Sequence, residues 1–93
     1  MKLSKGFPHA LKKARKAKGL SQEDFSDVSS RTYVSTLERG LYTPTLEKVE
    51  GLAQAIGIHP LTLLTMACLA SAKTSNLDKL FAQVRDEIAV IED

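Results

Sequence analysis

Apolar residues recur along this chain at helical rather than strand spacing. Phe7, Leu11 and Ala14 stand at i, i+4 and i+7, with Lys18 at i+11, so residues 7–18 read as an amphipathic helix. Pro8 suits its first turn, where a missing N–H is no loss, and Gly19 ends it. Arg15 falls at the margin of the apolar stripe, while Lys12, Lys13 and Lys16 point away. Ser21 opens a second, very short helix: Ser21-Gln22-Glu23-Asp24 places an acid three residues after a capping hydroxyl. Phe25 and Val28 are its inward pair, and Ser29-Ser30 break it. Ser30 caps a third helix over 31–39, which Gly40 stops. After the loop LYTPT, Thr45 caps a fourth helix with Leu46, Val49, Leu52, Ala53 and Ile56 on one face, ended by Gly57. Pro60 begins a fifth that runs to about Leu69, and SAKTSN (71–76) reads as a polar linker. From Leu77 to about Ile91 a last stripe follows: Leu77, Leu80, Phe81, Val84, Ile88 and Ile91. The expectation is an all-α protein: a five-helix domain over 1–70, then a separate C-terminal amphipathic helix over 77–93.

The polar side of the third helix is unusual. A solvent face ordinarily carries Glu and Lys at i, i+4 spacing. Here Thr32, Ser35, Thr36 and Arg39 form the outward row, with Arg31 beside its N-terminal end, while Val34 and Leu37 face in. Hydroxyls and guanidinium groups are the chemistry that base edges take: Arg bonds guanine O6 and N7 bidentately, and Thr offers a hydroxyl and a methyl. The same residues also describe an inert surface helix in which Ser and Thr fell by chance.

Charge changes the picture on one side only. The net charge of +2 resolves into +7 over residues 1–20, −2 over 21–73 and −3 over 74–93. A basic pole on a nearly neutral chain of 93 residues suits an anionic partner, though a solvated Lys-rich helix has the same composition. The one cysteine, Cys68, permits no internal disulfide, which points to a reducing, cytoplasmic setting. No signal-peptide pattern follows Met1, and the most apolar stretch, 58–70, is too short to span a bilayer. His9 and His59 have no ligand-spaced partners, so no metal is expected. Cys68 and Met66 read as core residues, and His59 as a cap. The serines fall at helix starts, where capping explains them, and no Gly-rich phosphate loop is present, so no enzyme, cofactor or small-molecule ligand is expected.

Three segments taken together, LKKARKAKGLSQEDF (11–25), SRTYVSTLERG (30–40) and PTLEKVEGLAQAIGI (44–58), resemble the lambda-repressor/Cro-type helix-turn-helix regulators of the XRE family over about residues 7–64. That resemblance implies a bundle whose second and third helices form the helix-turn-helix, about 21–39, the third entering the major groove. It also implies roles by position. Arg31, Thr32 and Thr36, with Ser35 as a lesser candidate, match base-reading positions. Gln22 matches a phosphate contact that braces them. Arg39, Gly40, Tyr42 and Thr43 match the backbone-gripping segment; apart from the resemblance, Lys12 and Lys16 of the basic first helix are expected as further phosphate contacts. Arg15 and Glu38 match an ion pair that ties the first helix to the third. The chain departs from the family in its turn: typical members carry two more residues there, including a Gly, and have Ala where Ser26 stands. A shortened turn shortens the second helix or changes the tilt of the third.

The last helix either folds back on its own chain or pairs with a second subunit through Leu77, Leu80, Phe81, Val84, Ile88 and Ile91. The second reading gives a homodimer, matched to two-fold symmetric operators. The sequence reading is therefore a bacterial or phage regulator that binds a double-stranded DNA operator, a dimeric repressor or autoregulator in the cytoplasm at the nucleoid. A restriction–modification controller has the same size and layout. An antitoxin or adaptor that binds a protein through the C-terminal helix is the alternative from another class.

Overall fold

A computed structural model describes residues 2–72 and 76–93 of the chain. Its elements are α1 (Leu3–Ala17), a 3-10 helix (Gln22–Phe25), α2 (Arg31–Glu38), α3 (Leu46–Ile56), α4 (Pro60–Ser71) and α5 (Leu77–Glu92), with no strand among the described residues. The largest side chains closed off from solvent come from every element but the last: Leu11 of α1, Phe25 of the 3-10 helix, Val34 and Leu37 of α2, Leu52 of α3 and Leu63 of α4. Each such burial stabilises by about 1.5–3 kcal/mol over an exposed position. Together they fix the mutual placement of helices too short to persist alone.

α1 starts four residues earlier than its apolar spacing predicts, which leaves Pro8 inside the helix rather than in its first turn. Gly6 explains the extension. It is buried, and a Cβ on it would collide with the Ala67 carbonyl oxygen and stand 2.7 Å from the Ser71 amide nitrogen. The backbones of α1 and α4 therefore meet directly, a contact that hydrophobic periodicity does not record. α4 correspondingly runs to Ser71, two residues past the expected end, with the Ser71 hydroxyl donating to the Cys68 carbonyl at 3.0 Å. Ser71 thus belongs to a helix and not to the expected linker, and residues 73–75 of that linker lie outside the described residues.

The second helix of the sequence reading is not an α-helix. Residues 22–25 make a single 3-10 turn, and the chain continues in turns to Ser29, whose N–H and that of Val28 both donate to the Phe25 carbonyl at 2.8 Å. The Asp24 carboxylate accepts from the Ser21 N–H at 2.6 Å, so the acid of the expected cap is in use. With Ser26, Ser29 and Ser30 close behind, no run of helix formers remains to extend that turn.

The other boundaries follow local chemistry. Ser30 and Thr45 accept from the N–H groups of Tyr33 and Lys48, both at 3.1 Å, and so cap α2 and α3. Gly57 ends α3 at φ +88°. His59 Nδ1 accepts from the Leu61 N–H at 2.9 Å and caps α4, with Pro60 at its first position. Leu46 departs from expectation. It opens α3 before the helix reaches the core and is 76% exposed. Cys68 is half-buried outside the core cluster, whereas Met66 packs partly against it. α5 has no buried residue. No single helix among the described residues is long and apolar enough to cross a membrane.

Candidate nucleic-acid interface

α2 is amphipathic over two turns. Val34 and Leu37 are buried, Arg31 and Thr32 are exposed, and Ser35 and Thr36 are half-buried on the opposite flank. Its end is a Schellman turn: the Gly40 N–H donates to the Leu37 carbonyl at 3.1 Å and the Leu41 N–H to Thr36 at 3.0 Å. Gly40 holds φ +76°, a conformation that strains any residue with a Cβ. Arg39 is the C-cap rather than a residue of the helix; it is exposed, and its Nε donates to the Ser35 carbonyl at 3.4 Å. Tyr42 and Thr43 are exposed on the segment that follows.

The last residue of α2 is tied to α1. Arg15 donates from Nε to Glu38 Oε2 at 2.6 Å and from Nη2 to Oε1 at 2.9 Å, and its Nη1 reaches the Leu20 carbonyl at 2.8 Å. Gln22 Nε2 donates to Glu38 Oε1 at 3.1 Å. The two charged side chains are 9% and 4% exposed. The hydrogen bond to Glu38 raises the Arg15 pKa, and burial opposes it only in part, so the guanidinium is firmly charged. The Arg15–Glu38 pair therefore joins α1, the loop at Leu20, the 3-10 helix and the end of α2.

The first turn of α2 is tied to α3. Lys48 Nζ donates to the Val28 carbonyl at 2.7 Å and lies 5.4 Å from the centroid of the Tyr33 ring. Tyr33 in turn stacks on Tyr42, with centroids 6.4 Å apart and planes at 20°. Gly51 of α3 gives Val28 its seat: a Cβ there would approach Val28 Cγ1 to 2.8 Å. Lys48 and Tyr33 were not among the sequence-derived site residues. Neither the carbonyl that Lys48 seeks nor the ring beneath it lies near it in sequence.

Two of the candidate base readers are already engaged. Arg31 Nη1 donates to Glu23 Oε1 at 3.1 Å, with both side chains about two-thirds exposed. The Thr36 hydroxyl donates to the Tyr33 carbonyl at 2.7 Å, which leaves its oxygen able to accept. Glu23, also missed from sequence, reaches Arg31 from the 3-10 helix. Arg15, Ser21, Gln22, Glu23 and Arg31 line one shallow concavity at the mouth of this interface. Lys12 and Lys16 are exposed on α1, away from its buried face.

The α5 residues assigned to dimerisation divide. Leu77, Leu80, Phe81 and Val84 face α4 across an apolar groove of about 610 Å³, which His59, Leu61, Leu64, Met66 and Cys68 also line. Ile88 and Ile91 extend beyond it and are exposed. No group of three His, Cys, Asp or Glu that could hold a metal ion occurs among the described residues.

Comparison with known proteins places this geometry. A family model described as helix-turn-helix matches residues 11–63, more than half of the chain. An uncharacterized HTH-type transcriptional regulator, y4dJ, of Sinorhizobium fredii (strain NBRC 101917 / NGR234) is 43% identical over 53 residues, which are 55% of this chain and 69% of that protein. No solved structure matches the chain. The matched segment runs from Leu11 to Leu63 and so takes in the Arg15–Glu38 tie, the 3-10 helix, α2 and α3; on that footing the chain belongs to the XRE-type helix-turn-helix family of DNA-binding transcription regulators.

Proposed function

We propose that this protein is a sequence-specific, dimeric repressor or autoregulator that inserts α2 into the major groove of a double-stranded operator. The observation that carries the reading is the split character of α2. Its apolar flank, Val34 and Leu37, is buried as α2 packs on α1 and the 3-10 helix, while Arg31 and Thr32 are exposed with Ser35 and Thr36 half-buried beside them. Arg31, Thr32, Ser35 and Thr36 then read base edges, while Lys12, Lys16, Gln22, Arg39, Gly40, Tyr42 and Thr43 position the backbone. Arg31 exchanges its exposed bond to Glu23 for a guanine edge, an exchange of one solvent-screened partner for another in a drier setting. Two copies joined through α5 gain avidity on a symmetric site.

Selection of binding sites from random duplex DNA tests this directly, with affinity then measured against salt. About six neutralised phosphates predict a log–log slope near −5. A slope near zero, or no enriched sequence, rejects the reading. The exposed apolar stripe of α5 favours one second reading, an antitoxin or adaptor whose protein partner covers that stripe. A stoichiometric protein complex without salt-sensitive duplex binding would support it.

A further inference from the structure

The connection into α2 is short and lacks the glycine that commonly eases such a turn, so something else must set the angle at which α2 leaves it. The candidates lie on α3. Lys48 is in that helix's first turn, one residue before buried Val49. Its ammonium meets two parts of the candidate interface directly and a third through a stack of rings. It holds the carbonyl of Val28, two residues before the Ser30 cap, at 2.7 Å. It lies over the ring of Tyr33 in the first turn of α2. Through the Tyr33–Tyr42 stack it reaches the segment that leaves α2. Gly51, one turn along α3, admits the Val28 side chain. The Arg15–Glu38 pair anchors the other end of α2.

We propose that Lys48 is a positioning residue for DNA reading: clamped between the Val28 carbonyl and the Tyr33 ring, it sets the tilt of α2 and thereby sequence discrimination, without touching DNA itself. The inference rests on the reading of α2 as the base-reading helix. The lever is short but sufficient. From Arg31 to Glu38 the axis rises roughly 10 Å, so a tilt of about 15° moves one end by roughly 2.5 Å, enough to break a base-edge hydrogen bond. A neutral side chain of similar length keeps the packed stem and loses both the carbonyl bond and the ring contact. Arginine keeps both kinds of contact.

The test compares Lys48→Met and Lys48→Arg with the unchanged protein on two probes: a duplex recovered by selection and a scrambled duplex of equal length, each over a salt series. For Lys48→Met the selected duplex should weaken roughly tenfold and the scrambled one by less than about twofold, with the salt slope unchanged. Lys48→Arg should restore most of the discrimination. Tyr33→Leu should reproduce the loss, and the double variant should be no worse than the poorer single, since both act through one clamp. Equal weakening on both duplexes with the slope reduced by about 0.9 would make Lys48 a phosphate contact and overturn the proposal. Unchanged discrimination would overturn it as well. If the unchanged protein itself fails to discriminate, the functional reading fails instead, and the clamp is judged without DNA. Lys48→Met should speed amide hydrogen exchange across α2 while α4 stays protected, and uniform protection rejects the clamp.

Discussion

Replacing Arg15 by Met removes a guanidinium that makes two hydrogen bonds to Glu38 and one to the Leu20 carbonyl. The methionine fills most of the stem's volume, so the effect isolates the polar head. Glu38 is left with its side chain 4% exposed and the Gln22 amide still donating to it. Truncating one member of a buried pair costs about 3–5 kcal/mol, because the surviving charge stays desolvated. A domain of this size has roughly 5–15 kcal/mol in total. At about 4–8 °C per kcal/mol, the lower bound already lowers the melting temperature by about 12 °C. Melting the single variants and the Arg15→Met/Glu38→Leu double by circular dichroism, with urea titrations alongside, checks the argument. The double variant should recover much of the loss, since removing both charges also removes their desolvation cost. The pairing raises the Arg15 pKa, so its stabilisation is complete below the unfolded-state value and fades only as pH climbs through the folded one. The loss should therefore be flat between about pH 6 and pH 9. A single variant within about 1 kcal/mol of the unchanged protein, or a double variant as unstable as the sum of the singles, would refute the picture of a desolvated coupled pair.

Three other outcomes follow from particular contacts. Gly6→Ala should destabilise by about 3 kcal/mol or lose the fold, because the new methyl meets α4 backbone rather than a movable side chain; a thermal melt decides it. Arg31→Ala should leave the melt within about 0.5 kcal/mol, its ion pair being exposed, yet cost roughly 1–3 kcal/mol in operator binding and relax one base position, read by repeating the selection. If the proposed dimer forms through α5, Phe81→Asp should shift sedimentation from dimer toward monomer with little loss of stability, since the ring is half-exposed and lies outside the buried core; an unchanged dimer removes α5 from the interface.

Much of the architecture could be read from the chain. The caps at Ser30 and Thr45, the stops at Gly40 and Gly57, and the inward positions Val34, Leu37, Leu52 and Ala53 are local matters, decided within a turn or two of the residue concerned. Periodicity succeeds there because it records which side chains avoid water. It fails where the contact is made by backbone or by a side chain's absence. Gly6 carries no hydrophobic signal, yet it sets how closely α1 meets α4 and so where α1 begins. Leu46 carries a strong one and stays exposed, because α3 has not yet reached the core. The 3-10 turn at Gln22–Phe25 reads as a capped helix start in sequence; only the serines just beyond it, and the packing of Phe25, settle that it goes no further.

The candidate interface divides in the same way. Its residue types, the hydroxyl and guanidinium row on α2 and the lysines of α1, belong to the sequence alone, as does the amphipathic stripe of α5. The pairings among them were settled by tertiary structure. Arg15 finds Glu38 across 23 residues, a pairing that only the family resemblance implied, whereas Arg31 finds Glu23 across 8 and Lys48 finds a main-chain carbonyl 20 residues away with no such pointer. A sequence specifies which groups need partners, because that need is a property of each side chain. Which partner each one meets depends on how separate helices dock, and docking is a cooperative outcome of the whole core that no local window contains.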